Sequence, residues 1–138
     1  MAMREILFRG KRIDNGEWVE GFYVCLNDKE HRIYSGFAET DCGDYYPDLY
    51  TVDPETVGQF TGLTDKNGEK IFEGDIVRYY QGYDYYSVMM VAWWKDGARF
   101  VIAFSDKLYS ATSLVSAHFY CEVIGNIHDN PELMDDRA

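Results

Sequence analysis

The stretch that decides the fold begins at the middle of the chain, where residues 65–79 read DKNGEKIFEGDIVRY. Its first four residues are typical of a tight turn, because Asn and Gly accept the backbone angles that turns require. Gly74 allows a bend or bulge within the segment that follows. The carboxylate of Asp75 is able to accept backbone N–H groups at that bend. The stretch therefore predicts short β-strands separated by turns.

Two hairpins are predicted on either side of this stretch. Residues 86–94 and 98–104 are rich in β-forming residues and flank a KDG turn. Residues 5–13 and 17–25 flank Asn15–Gly16, a pair that supplies the positive φ angles of tight hairpin turns. Both halves of the chain are thus predicted to contain paired strands.

The remaining segments predict short elements between turn signals. They are a weaker strand at 32–34, a strand at 49–52, a capped helical turn at 53–57, a short helix at 112–118, a closing strand at 121–127 and a capped turn at 130–134. Several short strands joined by tight turns indicate a mainly β fold, arranged as a small barrel or a strongly bent sheet.

Length, composition and charge exclude several classes of protein. The chain has 138 residues and is too short for a TIM barrel or a complete dinucleotide-binding dehydrogenase. Its hydrophobic fraction of 46% is too high for a disordered acidic tail. A net charge of −11 argues against broad, charge-driven binding to phosphate backbones.

The charge is unevenly distributed along the chain. No Lys or Arg falls between Ile33 and Asp65, whereas seven acidic residues do, and residues 36–48 are predicted to form a long exposed loop. The first twelve residues carry the opposite charge, through Arg4, Arg9, Lys11 and Arg12. These basic residues are interpreted either as a nucleic-acid contact or as ion-pair partners of the acidic segment. The overall charge favours ion pairing, and an acidic surface that mimics DNA is a further alternative.

The sequence predicts a cytoplasmic protein with reduced thiols and without a membrane span. The N-terminus is charged and lacks the apolar run of a signal peptide, and the longest apolar run is only residues 88–94. Cys25, Cys42 and Cys121 are odd in number and lack the CxxC spacing of zinc ribbons and redox sites.

No local motif predicts catalysis, a cofactor or a metal site. Cys121 lies near His118 in sequence, but spacing alone does not show that the two side chains face each other. The carboxylates at Asp41, Asp44 and Asp48 do not follow the order of a calcium-binding loop and are interpreted as a solvated acidic loop. The chain is therefore expected not to be an enzyme.

The strongest candidate for a binding site is a tyrosine-rich octet at residues 79–86. Its five tyrosines are Tyr79, Tyr80, Tyr83, Tyr85 and Tyr86. Tyrosine suits recognition surfaces because a large rigid ring is buried while its hydroxyl keeps one hydrogen-bonding tip. Gly82 and Asp84 indicate a loop between two strands, and the alternative is a pair of twisted strands with tyrosines on both faces.

Three stretches together resemble the YopX family of small bacteriophage and prophage proteins. They are residues 3–9, residues 56–77 and residues 122–133. The resemblance implies a bacterial or phage origin and a mainly β fold. It also implies a C-terminal SH3-like small barrel, placed at 63–134. The hairpin pattern around Asn15–Gly16 predicts an N-terminal β-hairpin region at 3–62, and because no Pro/Gly/Ser linker separates the two, they are expected to pack as one unit. It supplies no activity and no catalytic residue.

These observations predict a non-enzymatic binding module whose contact surface combines the tyrosine octet with the acidic segment. The expected partner is a bacterial or phage protein, and exposed strand edges also favour a homo-oligomer.

Overall fold

The chain is mainly β and divides into two compact units. The computed structural model describes residues 4–105, 108 and 111–135, with the backbone alone at residue 38. Unit 1 extends to Phe60 and unit 2 begins at Thr61. The strands of the described residues are β1 (Phe8–Lys11), β2 (Trp18–Leu26), β3 (Glu30–Glu39), β4 (Tyr45–Thr51), β5 (Gly58–Thr64), β6 (Lys70–Phe72), β7 (Asp75–Tyr80), β8 (Tyr86–Trp94), β9 (Arg99–Ala103), β10 (Thr112–Ser113) and β11 (Cys121–Asn126). The α-helices are α1 (Leu114–Ala117) and α2 (Glu132–Asp135).

The predicted N-terminal hairpin is confirmed by the antiparallel pairing of β1 with β2, in which Lys11 stands opposite Trp18. Its loop is longer than a two-residue turn. The Arg12 amide donates to the Glu17 carbonyl at 2.8 Å, and the Gly16 amide donates to the Arg12 carbonyl at 2.9 Å. Gly16 takes a φ of 74°, whereas Asn15 does not adopt a positive φ, so a single left-handed residue closes a four-residue loop.

The prediction of a long exposed loop at 36–48 is wrong. Strands β3 and β4 pair through most of this segment, with Phe37 opposite Pro47 and Glu39 opposite Tyr45, and only residues 40–44 form the connecting turn. The carboxylates of Glu39, Asp41 and Asp44 remain exposed and that of Asp48 is half-buried, so water screens most of their repulsion and the backbone is free to pair. In unit 1 the hydrogen-bonded order is β4-β3-β2-β1-β5, and Ile33 and Val52 are its most deeply buried apolar residues.

The predicted cap at residues 53–57 is confirmed. Pro54–Thr56 form one turn of 3₁₀ helix, and the Asp53 carboxylate accepts the Glu55 amide at 3.1 Å. The hydroxyl of Thr56 accepts the Lys11 amide at 2.9 Å, which fastens this turn to β1.

In unit 2, the structure confirms the bend predicted at Gly74. Gly74 takes a φ of 91°, and the buried Asp75 carboxylate accepts the Phe72 amide at 2.7 Å. This bend lets β6 turn into β7, which lies between β8 and β11 in a five-stranded antiparallel sheet with the order β10-β9-β8-β7-β11. The predicted closing strand is thus β11, which pairs with β7 through a bulge between Val123 and Gly125.

One face of this sheet carries the main buried cluster of unit 2, and Ile76, Val101 and Ala103, at the intervening positions of β7 and β9, are buried as well. Alternate positions of β7, β8 and β9 point inward and pack against α1 and the start of β11, as the two-residue period of a strand requires. The buried cluster consists of Ile71, Val77, Met89, Val91, Ile102, Leu114, Ala117 and Cys121. Within the described residues, no helix is long and apolar enough to cross a membrane.

The hairpin of β8 and β9 has an alanine at its left-handed position. Ala98 takes φ 50° and ψ 47°, and the adjacent Gly97 lies so close to Trp94 that an added Cβ would fall 2.3 Å from the indole ring. The glycine is therefore required for close packing, while the alanine bears the strain of the turn.

We expect Ala98→Gly to raise the free energy of unfolding by about 1 kcal/mol, because glycine adopts the left-handed conformation without strain. Urea unfolding followed by circular dichroism measures the change. The matched control is Ala92→Gly within β8, which should lower stability because glycine weakens strand interiors. A loss of stability for Ala98→Gly would contradict the assignment of strain to this residue.

Candidate binding site

The tyrosine-rich octet forms the end of the β7–β8 hairpin. Tyr80 stands opposite Tyr86 at the last pair of the ladder, and Tyr79 stands opposite Ser87. The Gln81 amide donates to the Tyr85 carbonyl at 2.9 Å, which closes the turn. The loop prediction for the middle of the octet is therefore confirmed, and its ends belong to two strands.

An open groove of about 700 Å³ lies at this end of unit 2. Its lining residues are Tyr79, Tyr80, Gln81, Gly82, Tyr83 and Tyr120. Three of the five predicted tyrosines thus meet in one groove, whereas Tyr85 and Tyr86 are not among the residues that line it. Tyr120 is a lining residue that sequence reasoning missed, because only the pairing of Cys121 with Tyr79 brings the start of β11 to this place.

The groove tyrosines differ in exposure. Tyr79 packs partly buried against the core of unit 2 and forms a fixed wall. Tyr83 at the hairpin tip is fully exposed, and Tyr120 keeps 59% of its surface accessible. The rings of Tyr83 and Tyr120 therefore present apolar area that the described residues leave uncovered. Uncovered apolar area of this kind is typical of a recognition surface.

Tyr80 packs against a cation and a second aromatic ring. The ammonium of Lys66 lies 4.3 Å from the Tyr80 ring centre, and the Tyr80 and Tyr86 rings are 5.5 Å apart. The guanidinium of Arg78 lies 5.2 Å from the Tyr86 ring and 3.7 Å from the Glu122 carboxylate. Of these two tyrosines only Tyr80 lines the groove, so the groove has one tyrosine held by a cation and a neighbouring ring and another, Tyr83, that is exposed.

The basic residues near the N-terminus contact aromatic rings of unit 1. The guanidinium of Arg9 and the ammonium of Lys11 lie 4.8 Å and 5.7 Å from the Trp18 ring. Arg12 lies 4.3 Å from the Tyr50 ring and forms a 2.7 Å ion pair with Asp14. This pair raises the pKa of Arg12 and lowers that of Asp14.

Arg4 is exposed and lies ahead of β1. The ion pair of Arg12 joins Asp14 rather than an acidic residue of segment 33–65, and the aromatic contacts do not test nucleic-acid binding. Both alternatives for the basic residues stay predictions.

The acidic turn between β3 and β4 is organised by its own backbone. The Thr40 amide donates to the Asp44 carbonyl at 2.7 Å, and the Asp44 amide donates to the Thr40 hydroxyl at 3.1 Å. Across the part of the chain that the structure describes, no three His, Cys, Asp or Glu side chains are placed to hold a metal ion together.

His118 and Cys121 are both buried in unit 2, and neither is placed as a member of a catalytic pair. His118 Nδ1 donates to the Thr64 carbonyl at 2.8 Å, and its ring packs on Phe119. Cys121 is completely buried, and burial together with the charge of Asp65 raises the pKa of its thiol to about 12. Because a nucleophilic cysteine reacts as the thiolate, this geometry is unsuited to catalysis by Cys121.

Unit 1 presents a second exposed surface that sequence reasoning missed. Phe22, Tyr34 and Leu49 stand beside one another across β2, β3 and β4, and Phe37 contacts Tyr34 edge to face at 5.7 Å. Phe22 and Phe37 are 59% and 69% exposed. The available signal was the unbroken apolar run of residues 22–26 in β2, which places apolar side chains on both faces of the strand.

The comparisons with known proteins find a protein family and solved structures that this chain resembles. A crystal structure of protein EF1440 from Enterococcus faecalis matches with a TM-score of 0.61 and 28% identity, over 96% of this chain and 99% of that chain. No curated protein matches the sequence. The model of the YopX protein family matches residues 7–135, which include most of the three stretches on which the resemblance rested. The chain therefore belongs to the YopX protein family.

Proposed function

We propose that the protein is a binding module of a bacterium, phage or prophage, and that its groove of four tyrosines holds an extended, proline-containing segment of a partner protein in the cytoplasm. The observation that carries this proposal is the groove itself, about 700 Å³ in volume and lined by Tyr79, Tyr80, Tyr83 and Tyr120. The structural likeness to a protein from Enterococcus faecalis supports a bacterial setting.

The chemistry of the groove favours an extended chain. Aromatic rings pack well against proline rings, and a polyproline II segment loses little conformational entropy on binding because it is already extended. The tyrosine hydroxyls and the amide of Gln81 supply hydrogen-bonding groups along the same path. The groove thus combines flat apolar area with polar tips, as peptide-binding grooves do.

The architecture around the groove is consistent with an SH3-like small barrel. The five-stranded sheet of unit 2 is antiparallel, and bulges or bends occur at Gly74 and near Gly125. Such bends curve a sheet on itself. We include this barrel in the proposal, since small barrels bind through the loops at their ends.

The experiment is a selection of peptides from a random library against the wild-type protein, followed by affinity measurements on the selected peptides. We expect proline-containing peptides whose affinity falls at least tenfold in the double variant Tyr83→Ala/Tyr120→Ala. Both residues are exposed, so their removal should leave the fold intact.

The matched control is Phe37→Ala, an equally exposed aromatic residue on unit 1, and it should leave peptide affinity unchanged. Selected peptides that bind the double variant as tightly as the wild type would contradict the groove as the binding site. Selection of oligonucleotides in place of peptides, with affinity that falls steeply with salt, would favour the nucleic-acid alternative.

A further inference from the structure

Three side chains of the β2–β3 hairpin form a compact group on one face of unit 1. The turn at 27–29 sets the register so that Cys25 stands opposite His31. The Cys25 sulfur lies 4.0 Å from His31 Nε2, and the Tyr23 hydroxyl is hydrogen-bonded to His31 Nδ1. The Tyr23 and His31 rings stack nearly parallel, 11° apart in plane. The thiol of Cys25 therefore lies beside a base, His31, and that base is hydrogen-bonded to a residue that orients it, Tyr23.

We propose that Cys25 is a reactive thiol that forms mixed disulfides with low-molecular-weight disulfides, with His31 as its base and Tyr23 as the residue that positions the imidazole. Cys25 is exposed, so a disulfide is able to reach its sulfur from solvent. This inference is independent of the groove, which belongs to unit 2.

The arrangement provides a route for the proton. With the ring proton on Nδ1 donated to the Tyr23 oxygen, Nε2 presents its lone pair to the Cys25 thiol and accepts the thiol proton. Burial and the neighbouring Cys25 raise the pKa of Tyr23, so its hydroxyl stays neutral and continues to hold the ring. The nucleophile, base and orienting group thus follow the general order of activated nucleophiles.

The exchange reaction balances without another reagent. The Cys25 thiolate attacks one sulfur of the disulfide, a new S–S bond forms and the original S–S bond breaks. The departing thiolate takes up the proton held by His31, and the net products are protein mixed disulfide and one free thiol. The incoming disulfide is the oxidant and is reduced at its leaving sulfur.

The other two cysteines lack this setting and serve as internal references. Cys42 is also exposed, but it lies in the turn between β3 and β4, beside Asp41 and close to Asp44 in sequence rather than beside an imidazole. Cys121 is buried with its thiol pKa raised to about 12. The three sites therefore predict three different reactivities within one chain.

The test measures the rate of glutathionylation by oxidised glutathione at neutral pH, using mass spectrometry of the folded full chain. Cys42→Ser leaves Cys25 as the exposed thiol, and Cys25→Ser leaves Cys42. We expect Cys25 to react about tenfold faster than Cys42, because Cys25 has a base within reach of its thiol proton. Equal rates at the two exposed sites would overturn the proposal.

The roles of His31 and Tyr23 are separated by further variants in the Cys42→Ser background. His31→Gln should lower the Cys25 rate to that of Cys42, and Tyr23→Phe should lower it by a smaller factor. In a His31→Gln chain, adding Tyr23→Phe should change nothing, whereas a purely structural Tyr23 would act in both backgrounds. A Cys25 rate that survives His31→Gln in a chain with wild-type circular dichroism would remove His31 from the proposal.

Discussion

Replacing Gly21 with alanine is expected to lower the free energy of unfolding by about 3 kcal/mol, because the new methyl group has no space. A Cβ at this position would fall 2.0 Å from the Tyr34 carbonyl oxygen and 2.7 Å from its carbon. Both atoms belong to the backbone of β3, directly beside the Phe22–Tyr34 pair of the ladder. Relief of the clash therefore requires β2 and β3 to separate locally.

The control for Gly21→Ala is Gly43→Ala in the turn between β3 and β4. Gly43 takes a φ of 84° but has open space around its would-be Cβ, so alanine there should cost only about 1 kcal/mol of backbone strain. Urea unfolding of both variants isolates the steric contribution. Equal losses in the two variants would contradict the steric account of Gly21.

Removal of the Asp65 carboxylate is expected to lower the free energy of unfolding by about 4 kcal/mol. Asp65 is 5% exposed, and one oxygen accepts the amides of Asn67 and Glu69 at 2.8 and 2.9 Å. The other oxygen accepts the Val123 amide at 2.9 Å, which joins the turn after β5 to β11. Asp65→Ala leaves three amides without this acceptor, whereas Asp65→Asn keeps one oxygen and should cost about half as much.

The control for Asp65→Ala is Asp53→Ala, which removes a single exposed capping bond to Glu55 and should cost about 1 kcal/mol. Hydrogen exchange supplies a local measurement, because the Val123 amide should lose protection in Asp65→Ala and keep it in Asp53→Ala. A Val123 amide that stays protected in both variants would show that the carboxylate does not hold β11.

Turn residues made much of the fold predictable from the sequence. The bend at Gly74, the acceptor role of the Asp75 carboxylate and the cap at Asp53 are confirmed because each depends on local geometry that one or two residues dictate. The hairpin at Asn15–Gly16 was predicted for the same reason, although its loop has four residues.

The errors arose where the outcome depends on partners distant in the sequence. The concentration of charge in residues 36–48 predicts a loop, yet Phe37 and Tyr45 provide the strand character that the β3–β4 ladder uses. The tyrosine octet predicts the part of the groove that the hairpin contributes, namely Tyr79, Tyr80 and Tyr83. It does not predict Tyr120, which follows β9 and β10 in the chain.

The pairing of Cys25 with His31 was hidden for a related reason. His118 and Cys121 are close in the sequence, whereas Cys25 and His31 meet only through the pairing of β2 with β3. Cross-strand register decides which side chains meet on a sheet, and proximity in the sequence does not. The positive φ angles of Asn27 and Asp28 determine that register, and an Asn-Asp pair between two strands was the available signal.

The stack of Lys66, Tyr80, Tyr86 and Arg78 has a consequence for the kinetics of any ligand that enters the groove. Because Tyr80 already packs between Lys66 and Tyr86, we expect little side-chain entropy to be lost on that wall during association. Mutations at the exposed tip, such as Tyr83, should then alter the residence time of the ligand far more than its rate of arrival. Replacing Lys66 with alanine should instead lower the association rate constant of the ligand, because the Tyr80 ring would then have to be ordered at each encounter.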